Sequence, residues 1–233
     1  MDVFNDIIAE GYRVDYLRIP ITDEQAPIPK VFDELVDRLL SVSSDGIPLF
    51  NCQMGRGRTT TGMVVACLMQ MIIGNRKSLV ASSAAIQENE SSQINLEEEA
   101  IDSLRYLSGE YVIILQVISV LHQGKVSKML TDQAIDACAD MQNLRSCIND
   151  YRARLANLVV LNPKYKLTFD TACNYLVRYF YLIVYYSLNQ ICGLPLGAMG
   201  RMESRRYKAA KVFSLASRPE RNHLSFAPQP PPS

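Results

Sequence analysis

Within eight residues, Cys52, Gly55, Gly57, Arg58 and Thr59 stand between an apolar run that ends at Asn51 and an apolar stretch that opens at Thr59. Read as strand, loop and helix, PLFNCQMGRGRTTTG (48–62) is a loop that can curl so that several backbone N–H groups face one concavity at a helix N-terminus, which is a ready anion site. Glycines there let the backbone approach an anion without a Cβ in the way. A thiol at the head of such a loop feels the helix dipole and a facing guanidinium, so its pKa falls and a thiolate forms near neutrality. Arg58 offers planar two-point contact to phosphate oxygens. The Thr59 hydroxyl can donate to the thiolate and ease its departure. Nucleophile, cradle and clamp together suit phosphoryl transfer through a phosphocysteine. The plainer reading of Cys52 is a small core cysteine, the usual fate of an isolated one; the loop around it favours the pocket.

The elements that must hold this loop follow from pattern. Residues 13–22 (RVDYLRIPIT) alternate apolar and polar side chains and read as a strand, and 47–51 as a short strand of buried type. Lys30–Ser41 places Val31, Leu35, Val36, Leu39 and Leu40 at helical spacing behind Pro29, and Thr59–Ile73 is an apolar helix stopped by Gly74-Asn75. Residues 78–95, rich in Ser, Ala, Gln, Glu and Asn, read as a loose connection. From 96 to 158 the pattern is helical with breaks near Gly109 and Gly124, and Thr168–Asn189 is a long Tyr-rich helix. Strands and helices followed by helices alone predict an α/β domain, a sheet flanked by helices, with a helical block after it. The expected division is 1–77 core with the phosphate loop, 78–95 linker, 96–216 helical region and 217–233 Pro-rich tail, the tail disordered.

Cys52, Gly55, Arg58 and Thr59 spell C-x-x-G-x-x-R-T, which resembles the C-x5-R-[ST] signature of cysteine-dependent protein tyrosine phosphatases. RIPITDEQAP (18–27) followed by FNCQMGRGRTTTG narrows the resemblance to the PTP-like phytase and paladin-like branch; it is strong over residues 12–73 and general beyond 96. The resemblance implies a PTP-like phosphatase fold, N-terminally incomplete because few residues precede the strand at Val14. It implies Asp23 as general acid, with Cys52, Arg58 and Thr59 in the catalytic set. Elementary chemistry agrees on Asp23: a phosphomonoester's leaving oxygen needs a proton, which a loop carboxylic acid can give before activating water against the phosphocysteine. Residues Gln53, Met54, Gly55, Arg56, Gly57 and Arg58 form the expected phosphate cradle. Arg56 either reaches substrate from inside the loop or is simply solvated. The substrate expected from the resemblance is an inositol phosphate or phosphoinositide, then phosphotyrosine, handled without metal or cofactor. Asn51 stands where most of that superfamily has His, and Glu24 where phytase-like enzymes often carry His. These two departures favour the alternative, a phosphatase-like module that binds phosphorylated ligands without turnover.

Composition sets the outer limits. The 24 basic and 24 acidic residues cancel, but residues 1–120 carry 17 acidic and 9 basic side chains and the remainder 7 and 15, a split of −8 and +8. No single basic field marks nucleic-acid binding. GRGRTTTG lacks the lysine of a nucleotide-binding P-loop. Six scattered cysteines without a CxxC pair, and two histidines, exclude the usual zinc spacings and point to a reduced compartment, hence a cytoplasmic protein. Cys67, Cys138, Cys147, Cys173 and Cys192 read as packing residues. No segment reaches the ~20 apolar residues of a membrane span. The basic stripe Arg201–Lys211 reads as a solvated face, with contact to a membrane surface as the minority alternative, and the terminal PQPPP as a flexible end.

Overall fold

Prolines and amphipathic spacing define the helices of the computed structural model, which describes residues 2–42, 46–79, 104–159 and 161–192. Helix α1 is Asp2–Ala9. Helix α2, Pro29–Ser41, has proline in its first turn, where the missing N–H costs nothing; Val31, Phe32, Leu35 and Val36 form its buried face. Helix α3, Gly57–Leu79, starts two residues before the expected Thr59 and runs through Gly74-Asn75. Val64, Val65, Leu68, Met69 and Ile72 carry it into the core. After a helical turn at 104–107 come α4 (Val112–Val120), α5 (Gly124–Ala137), α6 (Leu144–Ala156) and α7 (Pro163–Cys192). The breaks at 108–111 and 121–123 fall where glycine predicts them, and a third at 138–143 is closed by Asn143, whose side chain caps α6 at the amides of Arg145 and Ser146.

Helix α7 is the axis of the assembly. It packs on α3, α5 and α6, and α2 meets it through Phe32, whose ring lies against Tyr181 and Tyr185. Tyr175, Leu176, Tyr179, Phe180, Leu182, Ile183, Val184 and Tyr186 are all buried along it, so it is apolar around most of its circumference, as a central helix must be. The apolar core runs continuously from α2 to α7. Cys67, Cys138 and Cys147 are free thiols in or against it, and Cys173 is a free, half-buried thiol. No helix among the described residues is long and apolar enough to cross a membrane.

The predicted sheet is not formed: among the described residues there is no strand, and the α/β reading with a sheet flanked by helices is corrected to a helical architecture. Residues 12–22 and 46–51 carry no strand assignment. Ile19 and Ile21 lie against the core, while Tyr12 and Tyr16 stay outside, as does Leu17 although alternation puts it on the face of Ile19. In 46–51, by contrast, Ile47 and Leu49 are 83% and 91% exposed and only Phe50 turns inward. The physical reason is that period two encodes an extended, two-faced backbone, whereas a strand exists only when a neighbour supplies the ladder. The 78–95 connection falls almost wholly outside the described residues, as do the stripe Arg201–Lys211, the tail 217–233, His223 and the Cys192 side chain.

One polar network pins the helical layers. The Tyr179 hydroxyl, on a fully buried ring, donates to Asp132 at 2.6 Å; Asp132 also takes Lys128 at 2.8 Å and Arg145 at 3.5 Å, and Arg145 continues to Asp136. Hydrogen bonds to a charged partner contribute more than neutral ones, so Tyr179→Phe should lower unfolding stability by about 1.5–3 kcal/mol. An unchanged urea midpoint would show that the bond contributes nothing net.

Candidate active site

The segment 52–58 folds back on the sulfur of its own first residue. Gly55 sits at φ +66°, the left-handed conformation that reverses the chain here and that a Cβ would resist. The reversal turns the amides of Met54 and Arg56, and that of Thr59 in the first turn of α3, onto Cys52. Burial pushes the Cys52 thiol upward, but these amides and the Thr59 hydroxyl favour the thiolate more strongly and bring its pKa down to about 7. Thr59 is 4% exposed, and its buried hydroxyl has no hydrogen-bond partner among the described residues, so its proton is uncommitted. Thr60 and Thr61, also buried, donate back to the Gly57 carbonyl at 3.1 and 2.7 Å and seal the helix start.

Asp23 lies on the turn that follows the extended segment 12–22, with Glu24 in the left-handed region at φ +53° and its amide on the Asp23 carboxylate at 3.2 Å. That turn brings Asp23 to Arg58, Oδ1 to Nε 3.2 Å. The carboxylate is 63% exposed, so solvent weakens the pair and the guanidinium can exchange it for another anion. Of the residues expected here, Cys52 and Thr59 are thus brought together, as are Asp23 and Arg58. Gln53, Met54 and Arg56 are exposed, and Met54 and Arg56 act on the sulfur through backbone rather than side chain. Asn51 is exposed beside them. Among the described residues no three His, Cys, Asp or Glu side chains converge as a metal site requires.

Behind the loop stands a layer that pattern reading missed. A Cβ on Gly55 would lie 3.5 Å from Met141, and one on Gly57 2.9 Å from the Arg178 guanidinium and 3.3 Å from Gln142. Tyr151 and Tyr175 stack at 5.5 Å, and Gln142 donates to Cys147 at 2.9 Å. Arg178, on α7 and 2% exposed, donates through one nitrogen to the Gly57 carbonyl at 3.2 Å and through the other to the Gln25 carbonyl at 2.7 Å. Its ring neighbour is Tyr175, 4.8 Å from guanidinium to centroid. The signal in the sequence was a single cation, Arg178, inside the apolar face of a long helix: such a charge must find partners, though spacing cannot name them.

The first 70 residues match the family model described as inositol hexakisphosphate, PTP-like phytase. The chain is also similar to paladins: 25% identical over 205 residues to that of Danio rerio, 29% over 195 to that of Gallus gallus and 28% over 192 to that of Xenopus tropicalis. These alignments take in 79–80% of the chain but only 20–21% of each relative, so the chain spans about a fifth of the length of the curated relatives it matches. No solved structure matches significantly. The likeness to the paladin and PTP-like phytase branch therefore extends well past the phosphate loop and is to a phosphatase-like family.

The thiol provides a direct measurement. Because the hydrogen bonds lower the Cys52 pKa, the thiolate is present above it and lost as pH falls through about 7. Iodoacetamide labelling of Cys52 should rise with a midpoint near that value, and Thr59→Ala should move the midpoint up toward the ordinary ~8.5. A wild-type midpoint already at the ordinary value would remove the case for an activated thiol.

Proposed function

We propose that this chain is a cysteine-dependent phosphatase acting on phosphomonoesters. The observation that carries it is a thiol drawn to about neutral pKa by Thr59 and three loop amides, beside a carboxylate–guanidinium pair. Substrate phosphate, entering as its monoanion, displaces Asp23 from Arg58, passes its proton to the freed carboxylate and takes the guanidinium in a two-point contact. The Cys52 thiolate attacks phosphorus as the bond to the leaving oxygen breaks; Asp23 gives that oxygen its proton. The loop amides stabilise the spread charge. Asp23, now a carboxylate, removes a proton from water, whose oxygen forms the new bond to phosphorus as the S–P bond breaks. This returns thiolate and carboxylic acid and releases phosphate. As substrates we rank inositol phosphates or phosphoinositides first and phosphotyrosine second, a ranking supported by the likeness to PTP-like phytases and paladins.

A second reading, capture of phosphorylated ligands without turnover, draws on Asn51 and on the Asp23–Arg58 contact itself, which engages the acid with the clamp. Phosphate release from inositol hexakisphosphate, a phosphoinositide and a phosphotyrosine peptide separates the two. Under the phosphatase reading Cys52→Ser abolishes release and Asp23→Asn slows it by about 10²–10⁴-fold. Tight binding with no release by wild type, and no effect of Asp23→Asn, would transfer the chain to the second.

A further inference from the structure

We infer that Arg178 is a positioning residue that holds the acid-bearing turn against the phosphate loop, and so places the Asp23 proton at the leaving oxygen. This rests on the phosphatase reading above. One planar guanidinium bonds two backbone carbonyls, Gln25 two residues after Asp23 and Gly57 immediately before Arg58. The two side chains that meet at 3.2 Å across the site are therefore flanked, on the buried side, by a single rigid bridge. The Gly57 end is itself immobilised, because the Thr60 and Thr61 hydroxyls bond the same oxygen from α3. Among the described residues the Gln25 end has no comparable second hold: its own amide reaches Thr22 at 3.4 Å, and Glu24 before it is in the left-handed region. Arg178 is thus a fixed strut on one side and the tether of a turn on the other.

The nature of its partners points the same way. A cation that is 2% exposed here takes carbonyls and the face of Tyr175, with its Nε unpartnered among the described residues, in place of a bidentate carboxylate. Burying a charge on such partners is an expensive way to gain stability alone. A guanidinium is needed because it presents donors in a fixed fork; an ammonium is a point charge on a flexible stem and cannot hold two carbonyls in one geometry. Gly57 preserves the approach, since a Cβ there would come within 2.9 Å of the same nitrogen.

The test uses Arg178→Lys and Arg178→Met with two aryl phosphates. Phenyl phosphate has a poor leaving group that depends on the acid, and dinitrophenyl phosphate a good one that does not. Misplacing a catalytic group by about 1 Å can cost 10²-fold, so kcat on phenyl phosphate should fall by about 100-fold, with kcat on dinitrophenyl phosphate and both KM values within about threefold of wild type. Amide hydrogen exchange at 24–26 should quicken in both variants while α5 and α6 keep their protection. Equal losses on both substrates would overturn the inference, because a purely structural arginine affects them alike. If wild type hydrolyses neither substrate, the phosphatase reading fails. Exchange at 24–26 then decides the bridge by itself, quickened exchange upholding it and unchanged exchange overturning it. If Arg178→Met does not fold, Arg178→Lys carries the same comparison.

Discussion

At the carbonyl oxygen of Gly57 three donors converge: the hydroxyls of Thr60 and Thr61 from the helix it begins, and the guanidinium of Arg178 from α7. The rest of the site hangs from this point. It ties the phosphate loop to its own helix and to the central helix of the core, and through the second arm of Arg178 it reaches the Asp23 turn. A loop of this kind has little apolar area of its own to bury, so its shape has to come from hydrogen bonds to buried, already ordered groups. That is why three buried threonines stand in a row at 59–61. Thr59 serves the sulfur, and the other two serve the backbone.

The electrostatics of Cys52 are a contest between two local effects. Removing a thiolate from water disfavours it; donors already aimed at it favour it, and here the donors prevail. Cys138 and Cys173 go the other way. Burial raises the thiols of Cys138, to about 12, and of Cys173, to about 11. The contrast matters because the half of the sequence that contains the loop carries a net −8. Under the proposed function, anion affinity in that setting rests on short-range groups, the loop amides and Arg58, and at such distances oriented dipoles outweigh a diffuse field that salt screens within about 10 Å.

Some of this was legible along the chain. Glycine at 55 and 57, Cys52 before them and Arg58-Thr59 after are contiguous, and a loop that wraps its own first side chain depends only on neighbours in sequence. Helix α2 was legible from proline and apolar spacing, and α7 from its length and tyrosines. The sheet was misread. The alternation through 13–22 does report a two-faced extended backbone, as Ile19 and Ile21 show, but ladder pairing is a relation between segments and leaves no mark in either alone. Ile47 and Leu49 have the composition of a buried strand and lie exposed for the same reason.

Sequence alone set the thiol, the two glycines, Arg58 and Thr59 within one turn of chain at a helix start, because that juxtaposition depends only on neighbours in sequence. It also nominated Asp23, through resemblance and through the proton that a leaving oxygen needs. Only the tertiary structure decided that Asp23 meets Arg58, that Met141, Gln142 and Tyr175 back the loop, and that Arg178 joins the Gly57 carbonyl to that of Gln25, 153 residues before the arginine. Periodicity places a side chain on a face of its own helix; which distant backbone that face meets is settled by how the helices pack, where burying one cation leaves few geometries that satisfy it.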